Sequence, residues 1–324
     1  MSDPLIQPDV IPLHPAAADP VRMPDPTTVF VDRARRFDHF VGAQPAQASF
    51  FRFMAALARA QHDAAKTYAP QGLPSPAARA TRREHRMPVL AAGLADHGGA
   101  WVPAIRAVLA ASRARDDERE LTEAARDARR RLEDASDVDL ERLGSALLAY
   151  EYESVPTDAT PWLAAGLQLH WVRAAAALGR AEVRPLDVST VCPCCGSLPV
   201  ASLRRIGGLE QGLRYLVCSL CTTQWHMVRI KCSHCESTAA MGYLTLSSDP
   251  DSKAGQEAAT REVVKAEVCD DCASYLKLVS LESDAQAEPV ADDLATLALD
   301  LLTDERGYVR VGPNLLVHPG VAPA

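Results

Sequence analysis

Cysteine is absent from the first 191 residues of this chain and from the last 52. No uncharged apolar run reaches the roughly 18 residues that a membrane span needs, so no transmembrane helix is expected. A surplus of positive charge is missing too. Asp and Glu number 42 against 34 Lys and Arg, and the net charge of −8 disfavours generic binding to nucleic acid or anionic lipid. The start lacks the basic residues and apolar core of a secretory signal, so the segment is expected to be retained and an oxidising compartment is not expected. Also missing are G-x-S-x-G, H-E-x-x-H, a phosphate-cradling G-x-x-x-x-G-K-[ST] and a dinucleotide fingerprint after a strand. No catalytic machinery is therefore expected.

What the chain does have is nine cysteines between Cys192 and Cys272, eight of them in four C-x-x-C pairs. These are Cys192/Cys195, Cys218/Cys221, Cys232/Cys235 and Cys269/Cys272, with Cys194 left over inside the first. Two thiolates three positions apart in a tight turn can face one metal ion, and a tetrahedral site needs two such turns. An internal repeat pairs the turns; a cross-pairing of the second and third is the alternative, but only ten residues separate them and it would break the repeat. Each half reads knuckle, strand, loop, strand, knuckle, strand: Leu198–Leu203, Leu213–Val217 and Gln224–Ile230 in the first half, Met241–Leu246, Arg261–Val268 and Tyr275–Leu281 in the second. Cys192, Cys195, Cys218 and Cys221 are thus expected to bind one metal ion, and Cys232, Cys235, Cys269 and Cys272 a second. Closed four-sulfur sites have no open position at which to activate water, and tetrahedral sulfur suits zinc and iron alike. His226 and His234 lie in this region and are expected beside the metal rather than on it.

The rest of the chain divides around that region. Seven prolines in residues 1–26 exclude regular helix, leaving a tail that is flexible or lies extended over the body. Residues 27–185 read as a helical domain. Within it, Ala46–Ala69 carries Phe50, Phe53, Met54 and Leu57 at helical spacing, and Thr160–Leu178 carries Leu163, Leu167 and Trp171, with His170 beside that face. Arg79, Arg82, Arg83, His85 and Arg86 form a basic helix end, either solvated or a receiver for an acidic group. Between Arg113 and Arg142, 8 basic and 11 acidic residues surround a seam of Leu121, Ala124, Ala125, Ala128 and Leu132, an exposed helix with pairs such as Asp127 to Arg130 and Arg131. The metal modules occupy 186–230 and 231–282. In 283–324 a last helix, Asp292–Arg306, shows Leu294, Leu297, Ala298, Leu301 and Leu302 on one face, to dock on the body or to form a dimer or partner contact.

Several runs then resemble a known family. Cys192-Pro193-Cys194-Cys195-Gly196-Ser197, Gly212 to Leu216, Trp225-His226, Lys231-Cys232, Glu267, Tyr275-Leu276-Lys277, Ala291 to Ala295 and Glu305 to Tyr308 are similar to the formate dehydrogenase accessory proteins of the FdhE type. The specific match covers about Val191 to Tyr308; upstream only size and helical character agree. The resemblance implies an α+β fold, a helical N-terminal domain followed by tandem rubredoxin-like (zinc-ribbon-like) metal modules and a C-terminal helix. It implies a cytoplasmic, non-enzymatic assembly factor that binds the catalytic subunit of respiratory formate dehydrogenase before export. It also turns the metal preference towards two iron ions, with zinc retained. Two alternatives stand beside it: a rubredoxin-like electron carrier, which has no need of the helical half, and a nucleic-acid-binding zinc ribbon. Against the latter, Thr190–Ser280 holds nine Lys/Arg and nine Asp/Glu and is electrically neutral.

Overall fold

In the computed structural model, which describes residues 19–93, 98–115, 120–246 and 262–317, proline, glycine and hydroxyl caps set the ends of the helical half. Its helices are α1 (Val29–Ala43), α2 (Ala48–Ala65), α3 (Pro76–Glu84), α4 (Val102–Ala114), α5 (Glu123–Asp134), α6 (Asp137–Leu148) and α7 (Thr160–Leu178). Pro161 opens α7 at a position where a missing N–H costs nothing, and Gly179 ends it at φ 74°. Helix α7 is the axis of the bundle. Trp162, Leu163, Leu167, Leu169, Trp171 and Val172 point in several directions and all are buried, so the helix has no solvent face beyond its last turn. Gly166 permits that enclosure, because a β-carbon there would lie 2.5 Å from the Ile105 Cα of α4. Helix α2 is likewise covered on two sides. Phe53, Met54 and Leu57 are buried as their spacing implies, but the deepest ring is Phe51, whereas Phe50 is only half-buried.

The charged segment expected as one exposed helix is the end of α4 followed by α5 and α6. Thr122 and Ser136 accept from the backbone N–H of Ala125 and Asp139, starting a new helix each time. Leu121, Ala125, Ala128 and Leu132 form the buried seam, Ala124 is exposed, and Arg131 pairs with Asp158 at 2.5 Å rather than with Asp127.

The β half is one sheet. Strands β1 (Val21–Arg22), β2 (Pro199–Arg204), β3 (Arg214–Cys218), β4 (Gln224–His226), β5 (Met241–Leu244), β6 (Val264–Cys269) and β7 (Ser274–Ser280) lie in the order β1-β4-β3-β2-β7-β6-β5. Each cysteine-bearing half supplies an antiparallel meander, β2-β3-β4 or β5-β6-β7. The first strand of one meander meets the third strand of the other, and those two places run in the same direction, so β2 and β7 pair parallel. The outer edge of β4 is covered by β1, from the end of the proline-rich segment, in register Val21 to Trp225. Residues 19–26 therefore lie extended on the body; 1–18 are outside the described residues.

The C-terminal segment departs from the expected helix. Residues 292–306 form parts of two short helices, α8 (Pro289–Leu294) and α9 (Leu297–Glu305), followed by β8 (Val309–Arg310), which pairs parallel with β7. The break has a cause in Lys277 of β7. Its ammonium donates to the carbonyl oxygens of Asp293 (2.8 Å) and Thr296 (3.1 Å) and to the carboxylate of Asp300 (2.6 Å). The turn rotates α9 so that Leu299 and Thr303 face inward, while Leu297 and Leu301 of the expected apolar face are exposed. Asp292 and Asp293 are buried: Arg36 holds Asp292 by two bonds of 2.7 and 2.6 Å, and Arg310 holds Asp293 at 2.6 Å. Among the described residues, no helix is long and apolar enough to cross a membrane.

Candidate metal centres

Each C-x-x-C turn is followed by a residue in the left-handed region: Gly196 (φ 82°), Thr222 (55°), Glu236 (63°) and Ala273 (49°). Non-glycine residues hold this conformation at a cost of about 1–2 kcal/mol, and three of the four turns accept it. The reversal closes the knuckle. The N–H of Cys192, Cys218 and Cys232 each donates to the carbonyl five residues on, at 2.9, 3.0 and 2.8 Å. It also aims turn amides at sulfur: Leu220 and Cys221 donate to Cys218 Sγ, and His234 to Cys232 Sγ, all at 3.4 Å.

The meanders bring the turns together as two clusters, Cys192, Cys195, Cys218 and Cys221 in one and Cys232, Cys235, Cys269 and Cys272 in the other. Within each, every sulfur lies within 4.8 Å of the rest. Cys192 to Cys221 is 3.5 Å and Cys195 to Cys218 is 3.4 Å; Cys232 to Cys272 is 3.8 Å and Cys235 to Cys269 is 3.7 Å. A disulfide would be about 2.05 Å. A tetrahedron of sulfurs bonded to zinc at about 2.3 Å has edges of about 3.8 Å. The donor set and its spacing fit two four-coordinate metal ions, and both clusters offer only sulfur.

The surroundings of the clusters differ. The first is sealed by the helical half: Leu90 and Ala92 donate to the carbonyl oxygens of Cys194 and Cys195 at 2.7 and 2.8 Å, and Gln168 of α7 donates to that of Ser219 at 2.9 Å. Gln168 also accepts from buried Arg33 at 2.9 Å, which ties α1, α7 and the second knuckle together. All four sulfurs of this cluster are buried. Burial pushes the Cys192 and Cys218 thiols well above the usual thiol range, and it lifts the nearby Tyr150 phenol to about 12. In the second cluster Cys235 is exposed and Cys272 half-buried. Burial opposes the Cys232 thiolate, but the amides of Cys235 and His234 together with the side chains of Cys269 and Cys235 outweigh it and bring that thiol down to about 7. Cys194 stays outside both clusters, buried, with its thiol against Cys221.

Neither histidine joins a cluster. His226 packs edge-on against Tyr215 at 5.7 Å, and the exposed His234 contributes its backbone amide. His170 is a satisfied core residue whose Nδ1 lies 2.8 Å from Tyr68 Oη. In the basic helix end, Arg83 pairs with Glu182 at 3.0 Å and Arg86 with Asp187, pinning α3 to the connection into the sheet. Sequence reasoning missed the contact between the clusters. Arg214 of β3 and Glu267 of β6 are buried, meet at 2.6 Å and share the Ser202 hydroxyl, while Arg214 also donates to the Lys231 carbonyl at 2.7 Å. The available signal was the single charge of β3, Arg214 in an otherwise apolar strand; β6 carries both Lys265 and Glu267, and its sequence does not say which of them is buried.

Comparison with known proteins matches the whole of this architecture. Family models described as FdhE, N-terminal, FdhE, central domain and FdhE, C-terminal domain cover residues 18–187, 191–229 and 230–317. A protein named Protein FdhE homolog from Pseudomonas aeruginosa is 38% identical over 324 residues, 99% of each chain. Protein FdhE of Escherichia coli O9:H4 is 42% identical over 190 residues, 58% of each chain. The crystal structure of the FdhE protein from Pseudomonas aeruginosa superposes with a TM-score of 0.80 at 36% identity, covering 93% of this chain and 99% of that one.

Proposed function

Because the chain belongs to the FdhE family, we propose that it is an assembly factor for respiratory formate dehydrogenase, binding the enzyme's catalytic subunit in the cytoplasm before export. In this reading Cys192, Cys195, Cys218 and Cys221 ligate one metal ion and Cys232, Cys235, Cys269 and Cys272 the other. The observation that carries it is the pair of all-sulfur clusters. Four cysteines complete a tetrahedral shell and leave no position for a substrate or an activated water, which suits a protein that handles another protein better than one that turns over a small molecule. Iron is the preferred metal, as the family resemblance implies, and the sulfur shell accepts zinc as well. Bound iron would supply a one-electron change of charge; zinc would supply only a fixed one.

The residues of the chain do the rest. The turn amides stabilise thiolate, the parallel pairing of β2 with β7 sets the two centres at a fixed separation, and the helical half supplies a broad surface around the first centre. The test is affinity capture of the tagged full chain from its own host under anaerobic conditions. The catalytic subunit of a formate dehydrogenase is expected to co-purify, and to be lost when Cys192 and Cys195 are both changed to Ser. Capture of nucleic acid, or of an electron donor and acceptor pair in place of that subunit, would overturn the proposal. The purified chain is expected to show no formate oxidation.

A further inference from the structure

The two clusters share one ligand set and one turn geometry, but their access to solvent differs. Cys192, Cys195, Cys218 and Cys221 are exposed by 0%, 1%, 0% and 0% and belong to the continuous hydrophobic core. Each side of that cluster meets another part of the fold. Segment 88–92 crosses the first knuckle through two backbone hydrogen bonds, with Pro88 against Gly196, and α7 reaches the second knuckle through Gln168. A reagent approaching these sulfurs must first lift the helical half from the sheet.

The second cluster has no such cover among the described residues. Cys232 and Cys269 form its inner side at 2% and 1% exposure, Cys272 is half-buried and Cys235 is open to solvent. Its surroundings are short polar contacts at the knuckle surface, most of them within the module: Lys231 to Glu236 at 2.7 Å, Ser237 to Asp271, and Ser274 Oγ at 3.0 Å from Cys272 Sγ, with single bonds from outside it, Ser189 N–H to Glu236 at 2.8 Å and Tyr308 to Asp270 at 2.5 Å. Local contacts of this kind open at far lower free energy than a packed core.

We infer that the second cluster is an exchangeable metal centre, entered at the Cys235 and Cys272 edge, whereas the first is a permanent one that loses its metal only on unfolding. Ligand exchange would begin at Cys235, the most exposed of the four, and its freed thiolate would take a proton from water or form an S–C bond with iodoacetamide as the C–I bond breaks and iodide leaves. Cys272 follows, then the inner pair. The mutual position of the two halves survives this loss, because β2 with β7 and Arg214 with Glu267 still join them. This inference rests on reading both clusters as metal centres, and it makes the second module the part of the molecule that responds to metal supply or oxidants.

The experiment uses the full chain purified anaerobically. Its metal content is measured first, and two ions per chain are expected. The sample is then treated under reducing conditions with 1,10-phenanthroline, an uncharged chelator of iron(II) and zinc, together with iodoacetamide, also uncharged, so that the charges of Lys231, Glu236, Asp270 and Asp271 do not bias access. One of the two ions is expected to leave in a fast phase. Peptide mass mapping over that phase should find label on Cys235 and Cys272, then on Cys232 and Cys269, and none on Cys192, Cys195, Cys218 or Cys221. Cys235→Ser should retain one ion per chain and show the slow phase alone. A starting content below two overturns the metal reading, and this inference with it. A content of two with release in a single phase, or first label on the Cys192 to Cys221 set, overturns the inference alone, as does loss of both ions from Cys235→Ser.

Discussion

Arg214 and Glu267 are the clearest case at the scale of single residues. Their side chains are buried and 2.6 Å apart, so removing one leaves the other charged without a counter-ion. Arg214→Met is expected to lower unfolding free energy by about 3–5 kcal/mol in a denaturant titration at fixed metal content, with Glu267→Met added to it recovering much of the loss. A loss below about 1 kcal/mol would place the pair with surface ion pairs instead. The knuckle backbones give a prediction of opposite signs. Gly196→Ala puts a β-carbon on a left-handed residue 3.2 Å from Pro88, whereas Ala273→Gly relieves a left-handed alanine. The first is expected to destabilise and the second to stabilise, each by about 1 kcal/mol, in the same titration. The cysteines were legible in the sequence because a knuckle is local: three positions and one turn contain its geometry. The partners of Arg214 and Arg36 were not, since they lie 53 and 256 residues away and no local pattern connects them.

Among the elements, α7 shows both what periodicity reveals and what it hides. Pro161 and Gly179 mark its ends, and the observed helix runs Thr160–Leu178 as those signals imply. Its enclosure on every side could not be read from it, because that depends on α4 lying against Gly166. Gly166→Ala would gain helix propensity on an isolated peptide, yet here the new methyl meets Ile105 backbone. A net loss of about 1–3 kcal/mol is expected, seen as a lower Tm without loss of bound metal. An unchanged or raised Tm would mean that α4 shifts freely. The C-terminal helices make the complementary point. The leucine spacing was real, but Lys277, on a strand some 20 residues earlier, takes the carbonyl oxygens that a continuous helix would have used and turns the chain. That ammonium, the Thr296 hydroxyl and Arg310 all bond the turn at which Leu299 is buried in place of Leu297 and Leu301.

The whole molecule is held at two levels, a helical bundle built on α7 and a sheet whose halves are closed by sulfur clusters. The order of the repeat was visible in the cysteine spacing, and the helical and cysteine-bearing regions were visible in composition. Fusion of the two modules into one sheet was not, because the parallel pairing of β2 with β7 joins strands some 75 residues apart and leaves no turn between them to read. That fusion predicts how the chain responds to complete metal removal in denaturant followed by return to buffer with chelator. Far-UV circular dichroism should recover helix from α1–α7 and lose strand from both modules together, and adding metal back should restore both. Recovery of strand with neither metal present would show that the sheet refolds without its centres.

The claim on which all of this depends is that each centre is closed by four cysteine sulfurs. X-ray absorption at the metal K-edge of the anaerobically purified chain tests it most directly. A single shell of four sulfurs per metal at about 2.3 Å is expected, and the edge itself identifies iron or zinc. A nitrogen or oxygen scatterer at about 2.0–2.1 Å would contradict it, by opening a coordination position at which small-molecule chemistry, rather than assembly, could take place.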